Sequence, residues 1–332
     1  MNQLGVGIAI TGSGSATPAV VLDNHQLSQM VETSDEWITT RTGIQQRHLA
    51  DSQGSVTALA VEASVGAIAM AGITPKDLDL IILATSTPDD LFGTATQIQA
   101  LLGASRAVAF DMTAACSGFV FGLVTAAQFI RTGAYKTVLL IGADILSRWV
   151  DWSDRGTCIL FGDGAGAVVM QASESDRLLG FELRSDGTQS KCLQLPYKAQ
   201  NKEIVNGIST AQGTYHPITM NGKEVYKFAV QKVPEVIEKA LFQANITAEQ
   251  VDWLLLHQAN QRILDAVAER LTIPKHKVLS NLARHGNTSA ASIPLVLDEG
   301  VRLGKIQPGD VIAASGFGAG LTWGAAIFQW GM

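Results

Sequence analysis

The sequence predicts a layered α/β fold assembled from two similar halves. Three observations carry that prediction: helical segments alternate with short apolar strands, a motif recurs at an offset of 173 residues, and no Pro- or Ser-rich linker divides the 332 residues. The alternation is seen in the helical segments Ser55 to Ala71 and Val233 to Ala244, each of which precedes short apolar runs. In the first half these runs are Ile81 to Thr85, Ala107 to Asp111, Val138 to Gly142 and Cys158 to Met170. In the second they are Leu254 to His257, Val278 to Asn281, Val311 to Ser315 and Gly324 to Phe328.

The repeat pairs Ala71-Gly-Ile-Thr-Pro-Lys-Asp-Leu-Asp79-Leu-Ile-Ile-Leu83 with Ala244-Asn-Ile-Thr-Ala-Glu-Gln-Val-Asp252-Trp-Leu-Leu-Leu256. A second echo pairs Lys136 to Gly142 with Gly309 to Ser315 at the same offset. Chance explains either alone, and their agreement favours duplication. The changeover near Gln171 to Arg177 is short and polar, so residues 1–172 and 173–332 are expected to be two halves of one body. Ligands belong where strand ends of both halves converge.

Composition narrows the function. A chain that is 47% hydrophobic and 16% charged is not disordered. Cys116, Cys158 and Cys192 form no Cys-x-x-Cys pair, which excludes a disulfide framework or a structural zinc site and fits a reducing compartment, the cytoplasm. Met1 to Leu4 lacks the basic start of an export signal, and Gly5 to Thr11 is only strand length. The uncharged stretch from Met112 to Ile130 approaches the ~20 residues of a membrane helix. It contains Thr113, Cys116, Ser117, Thr125 and Gln128, however, and reads as a helix buried in protein, with no membrane partner. A net charge of −6 argues against nucleic acid, and an acidic partner must meet a local basic patch.

Three polar positions stand out. Cys116 lies between a strand and the uncharged helix, where a helix N-terminus makes a thiol easier to deprotonate; a small buried hydrophobe is the other reading. His257 ends the strand Trp253-Leu-Leu-Leu-His, where α/β folds place functional groups, and also fits a hydrogen-bonded strand end. Asn287 opens a helix much as Cys116 does, either capping it or aiming its amide at a ligand. Cys158 reads as core within a strand, and Cys192 carries no signal. The segment Phe161 to Ala167 lacks the Lys-Ser/Thr of a phosphate loop and reads as a turn. Ser315 to Leu321 follows a strand and offers backbone N–H groups for a small anion cradle, or simply a glycine turn.

Taken together and in order, seven segments resemble the β-ketoacyl-acyl-carrier-protein synthase III family of the thiolase-like superfamily, over almost the whole chain. They are Thr33 to Gly43, Ala115 to Gly118, Asp154 to Thr157, Phe161 to Gly166, His257 to Asn260, His285 to Ala291 and Gly316 to Gly324. The resemblance implies an αβαβα architecture and a catalytic triad of Cys116, His257 and Asn287. It further implies an oxyanion hole from the backbone N–H groups of Cys116 and Ala319, and a condensation that needs neither metal nor redox cofactor. The implied substrates are a short acyl-CoA, acetyl-CoA by default, and malonyl-acyl carrier protein, and the reaction would initiate type II fatty acid synthesis.

By the same resemblance Trp37 and Arg155 sandwich the adenine of CoA, and Arg41, Gly222, Lys227 and Asn260 contact the rest; Lys223 stands where many relatives have asparagine. The carrier protein would dock on Gln258, Arg262 and Arg270, with Lys275 and Lys277 beyond, although Glu269 replaces a second basic residue common in relatives. Phe92 would reach the partner's acyl pocket in a homodimer. A degradative thiolase would need a cysteine within Gly316 to Gly320, and an elongating synthase a second histidine at Asn287. A type III polyketide-like enzyme shares Cys, His and Asn, and a non-catalytic acyl-CoA-binding protein has no need of all three.

Overall fold

The computed structural model describes residues 6–331, so the reading of Met1 to Leu4 lies outside the described residues. Ten strands form two mixed sheets: β1 (Gly7–Ala16), β2 (Leu80–Ala84), β3 (Val108–Met112), β4 (Thr137–Ile145) and β5 (Asp163–Ser173), then β6 (Leu178–Ser185), β7 (Trp253–Leu256), β8 (Val278–Leu279), β9 (Val311–Gly318) and β10 (Thr322–Gln329). The first sheet has the order β1-β5-β4-β2-β3, and the second has β6-β10-β9-β7-β8. Each strand of the second thus takes the place of its counterpart in the first, including the parallel pairs β2–β4 and β7–β9.

Strand alternation explains the layers, because successive side chains point to opposite faces. Leu80 and Ile82 of β2 join Val138 and Leu140 of β4 on an inner face, while Ile81, Leu83, Leu139 and Ile141 face outward. The outer face is covered by α2 (Val56–Met70), with α3 (Ala95–Leu102) beside it; α1 (Asp35–Thr42) lies elsewhere, in a cap with Leu146, Ile159 and Phe161. The inner face meets α4 (Gly118–Arg131) and, across it, Leu255, Ile312, Ala314 and Phe328 of the second sheet. Leu254, Leu256, Ala313 and Ile327 point the other way, onto α5 (Gly222–Ala244) and α6 (Gln261–Arg270). A last helix, α7 (Ser292–Arg302), lies with α4 in the central layer. The result is helix, sheet, helix, sheet, helix. The uncharged α4 is buried in the middle, and among the described residues no helix is long and apolar enough to cross a membrane.

Asp79 and Asp252 begin corresponding strands in the same way. The Asp79 N–H donates to Thr137 O at 2.9 Å and its carboxylate accepts from Thr137 N; the Asp252 N–H donates to Val311 O at 2.9 Å and its carboxylate accepts from Val311 N. Thr137 therefore matches Val311, and the second echo slips by one residue, to an offset of 174. The same offset carries the one-turn 3-10 helix Ala115–Ser117 onto Ser289–Ala291. The counterpart of Cys116 is thus Ala290, and Asn287 lies three residues earlier.

Other differences from the sequence expectations have physical causes. Cys158 is not in a strand: Arg155–Cys158 is a helical turn capped by Asp154, and the strand begins only at Asp163. The apolar run Ile159 to Phe161 is buried under α1, and a short apolar run looks alike in either conformation. Helix α5 begins at Gly222, eleven residues before the expected Val233, and continues through Pro234. Proline leaves the carbonyl four residues back unpaired, and here that carbonyl, Val230 O, accepts instead from Arg270 Nη1 at 3.4 Å. A hairpin of Tyr197–Val205 and Ile208–Tyr215 went unforeseen; Asn206 and Gly207 turn it at φ 45° and 82°, the conformation a tight hairpin favours.

Candidate active site

Cys116 sits where β3 hands over to α4. Its turn is tied to the second half: the Ser117 and Thr322 hydroxyls pair at 2.8 Å, and Thr322 Oγ1 donates to Ala114 O at 3.0 Å. The end of β9 presses on the same turn. A Cβ on Gly318 would lie 2.6 Å from the Cys116 nitrogen, so only glycine lets the two backbones approach this closely. Ala319 follows in the loop between β9 and β10.

Cys116 is 8% exposed, and burial pushes its thiol pKa up to about 12, the Ser289 hydroxyl opposing and the Asp144 charge adding to that effect. This corrects the expectation that a helix N-terminus eases deprotonation. In the free protein, loss of solvation is the largest influence on the thiol.

His257 follows β7, its N–H donating to Ser315 O at 2.8 Å. Its Nδ1 pairs with Ser292 Oγ at 2.8 Å, and its ring meets Phe317 edge-on at 5.3 Å. Burial drives its pKa from 6.5 to about 3, so the imidazole is neutral. With Ser292 as donor to Nδ1, the proton resides on Nε2, where it can be given to a ligand. An unfolded chain takes up this proton near pH 6.5, whereas the folded one resists until about 3. His257 therefore supports stability fully above pH 6.5 and loses that contribution as pH falls toward 3, by at most ~1.4 kcal/mol per pH unit. His257→Gln is expected to flatten the pH dependence of the urea midpoint below pH 6.5; superimposable slopes would refute this.

Asn287 is 7% exposed and joins the strand-like bridge with Phe161, its N–H donating to Leu160 O at 2.8 Å. Its Oδ1 accepts from Ser289 N at 2.9 Å. The two uses considered for this residue therefore do not compete: one end of the amide caps the turn, and the other makes no hydrogen bond to the described residues.

Cys116, His257, Asn287 and Phe317 line one cavity of about 480 Å³. Toward solvent it continues past Tyr226, Met220 and Leu193 to Arg41, Lys223, Arg262, Gly222 and Asn260. The remaining expected CoA contacts, Trp37, Arg155 and Lys227, are outside this lining. Arg155 and Arg41 stand 4.9 and 4.6 Å from the centre of the Trp37 ring, and Arg155 Nη1 donates to Glu32 O. The expected adenine slot between Trp37 and Arg155 is closed here, since cation and ring are already in contact. Lys227 pairs with Glu224 at 2.9 Å, and Asn260 caps α6 while donating to Arg41 O.

Of the expected carrier-protein contacts, Gln258 is a correction. It is wholly buried, donating to Leu256 O and accepting from Ser280 Oγ and Asn281 N, so it braces backbone and cannot meet a partner. Arg262 is exposed beside Tyr226, and Arg270 is half-engaged with the α5 carbonyls. Phe92 is fully exposed, its N–H donating to Asp90 Oδ1, and it is not among this chain's own cavity-lining residues. Sequence reasoning missed Ser292, which orients His257, and Tyr226 as cavity lining; Lys223, noted where many relatives have asparagine, does line the cavity. Ser292 directly follows the segment His285 to Ala291, and helix spacing from Gly222 would have placed Tyr226 one turn inside the mouth.

Models of 3-oxoacyl-[acyl-carrier-protein] synthase III match residues 110–187, and of its C-terminal part residues 241–330. A beta-ketoacyl-[acyl-carrier-protein] synthase III of Trichormus variabilis is 74% identical over 326 residues, covering 98% of this chain and 99% of its own. That of Synechococcus elongatus is 67% identical, covering 100% and 99%. The crystal structure of 3-oxoacyl-[acyl-carrier-protein] synthase III from Aquifex aeolicus superposes with a TM-score of 0.90 at 44% identity, covering 98% of this chain and 100% of that one.

Proposed function

Since this chain belongs to the 3-oxoacyl-[acyl-carrier-protein] synthase III family, acyltransferases whose condensation initiates fatty acid synthesis, we propose that Cys116, His257 and Asn287 carry that reaction. The observation behind the assignment is the single cavity they share, closed at one end by the thiol and lined with cations toward the other. A CoA thioester enters past Arg41, Lys223 and Arg262, whose charges suit its phosphates. The Cys116 sulfur attacks the thioester carbon, the carbonyl oxygen becomes an oxyanion held by the N–H groups of Cys116 and Ala319, and CoA leaves. Malonyl-acyl carrier protein follows. The neutral His257 and the free amide of Asn287 donate to its thioester oxygen, so loss of CO2 gives a stabilised enolate, whose carbon attacks acyl-Cys116.

Acetyl-CoA is the primer we propose, and Phe92 the residue each chain lends to its partner in a homodimer. A fully exposed aromatic ring on a loop whose backbone is held by Asp90 supports that role. The free thiols of Cys116, Cys158 and Cys192 fit a cytoplasmic site of action. The carrier protein, being acidic in this family, would meet Arg262 first, with Arg270 and Lys275 beyond. Intact-protein mass spectrometry after mixing with acetyl-CoA tests the whole reading. One acetyl group per chain, mapped to Cys116, is expected; a protein that only binds CoA thioesters shows no covalent adduct.

A further inference from the structure

The backbone of Asn287 is held by the segment Ile159 to Gly162. Asn287 N donates to Leu160 O at 2.8 Å and Gly162 N donates to Asn287 O at 3.0 Å, a single bridge outside both sheets. So short a ladder is marginal by itself, and what fixes its far side is Arg47. That side chain is wholly buried. Its Nη2 donates to Ile159 O at 2.8 Å, while Nη1 donates to Leu22 O at 3.1 Å and to Asn24 Oδ1 at 2.9 Å. All of these acceptors are neutral, and Nε has no partner among the described residues. Burial pulls the pKa of Arg47 from 12.5 down to about 10, which leaves a cation at neutral pH. A cation buried among neutral partners adds little stability, because desolvation offsets what the hydrogen bonds return. What its planar fork does supply is a fixed angle between two segments. The Arg47 stem presses on the same loop: a Cβ on Gly162 or Gly286 would lie 3.1 or 3.3 Å from the Arg47 Cβ. On the other side, Asn24 Nδ2 donates to Asp35 Oδ1 at 2.9 Å and to Ile44 O at 2.8 Å, and Asp35 opens α1. One guanidinium thus spans from the base of α1 to the segment that holds Asn287.

We propose that Arg47 is a positioning residue for the malonyl half-reaction: its guanidinium, anchored on Leu22 O and Asn24, fixes Ile159 to Gly162 and through them the amide of Asn287. The inference rests on Asn287 donating to the malonyl thioester. Its effect falls on one half-reaction because the other two site residues have separate supports. The Cys116 turn is tied to Thr322, and His257 is held by Ser315 O and Ser292. Arg47 is not among the cavity-lining residues, so it acts through Asn287 and not on the substrate.

The test separates the half-reactions in variants of the full chain. Arg47→Lys keeps the charge but offers one nitrogen in place of the fork, and Arg47→Met keeps the length without a donor. Malonyl decarboxylation is expected to fall roughly tenfold in the first and toward a hundredfold in the second, the scale of a misplaced group. The loss should be in kcat, with KM for the malonyl carrier protein nearly unchanged, and acetyl transfer to Cys116 should stay within a few-fold. Placed on an Asn287→Asp background, Arg47→Lys should cost no further decarboxylation, since the two act as one unit. Arg131→Met is the control for stability alone: it breaks the pair with Asp176 at the opposite end of α4 from Cys116, and should lower the urea midpoint without separating the half-reactions. Asn24→Ala removes one anchor of Nη1 and leaves the guanidinium; it should show the same separation more weakly, and it decides the matter if the Arg47 variants do not fold. Equal loss of both half-reactions, loss of neither, or a further loss on the Asn287→Asp background overturns the proposal. If Asn287→Asp itself loses both equally, the role of Asn287 falls and this inference with it; if Asn287→Asp separates them and Arg47→Lys does not, only the inference falls.

Discussion

A Cys116→Ala protein forms no acyl adduct and no 3-oxoacyl product, yet it still releases CO2 from the malonyl carrier. The first two losses are total, because nothing else in the cavity offers a nucleophilic sulfur: Cys158 lies in a helical turn beneath α1, and Cys192 is not among the lining residues. The retained decarboxylation follows from geometry. His257 is held by Ser315 O and Ser292, and Asn287 by Leu160 O and Ser289 N, and none of these supports involves the thiol. Removing the sulfur leaves both donors in place. Radiolabelled CO2 release and mass spectrometry on the same sample check the two halves of this prediction; loss of decarboxylation along with acylation would place Cys116 in both steps.

The reverse separation is expected at Asn287. Asn287→Asp keeps an oxygen to accept from Ser289 N while replacing the free amide donor with an acceptor that repels the forming enolate. Acylation by acetyl-CoA should stay within a few-fold of the unsubstituted protein. Malonyl decarboxylation should fall by roughly 10²–10³, the magnitude seen when one oxyanion donor is removed. Asn287→Ala also removes the cap on Ser289, so it should lose decarboxylation equally and slow acylation as well. Equal loss of both half-reactions in the Asp variant would show that Asn287 supports the turn and not the enolate.

Much of this was legible in the residues. The alternation of helical segments with short apolar strands predicted layered α/β structure, and the wholly apolar run Leu80 to Leu83 fits a strand that buries both faces, as it does. Ordered motifs pointed to Cys116, His257 and Asn287. What escaped was set by contacts distant in sequence. The expected helix began at Val233, yet it continues through Pro234 from Gly222, because the arginine that takes up the orphaned Val230 carbonyl is found on another helix. Gln258 looked available because it adjoins His257, yet its side chain turns inward to brace Leu256 O, Asn281 N and the Ser280 hydroxyl. The thiol's resistance to ionisation comes from burial of the turn that carries it, which is tied to Thr322 of the second half.

The offset of 174 residues also bears on the residues with left-handed backbone. Ala115 and Ser289 occupy matching positions, at φ 47° and 50°, although alanine and serine both disfavour that conformation. One turn presents a cysteine and the other Ala290, so the contortion cannot be specific to the sulfur. It belongs to the way a strand must swing into the central helical layer. A protein engineer wishing to place a new reactive group opposite the old one would find at Ala290 a pedestal already bent to the required shape.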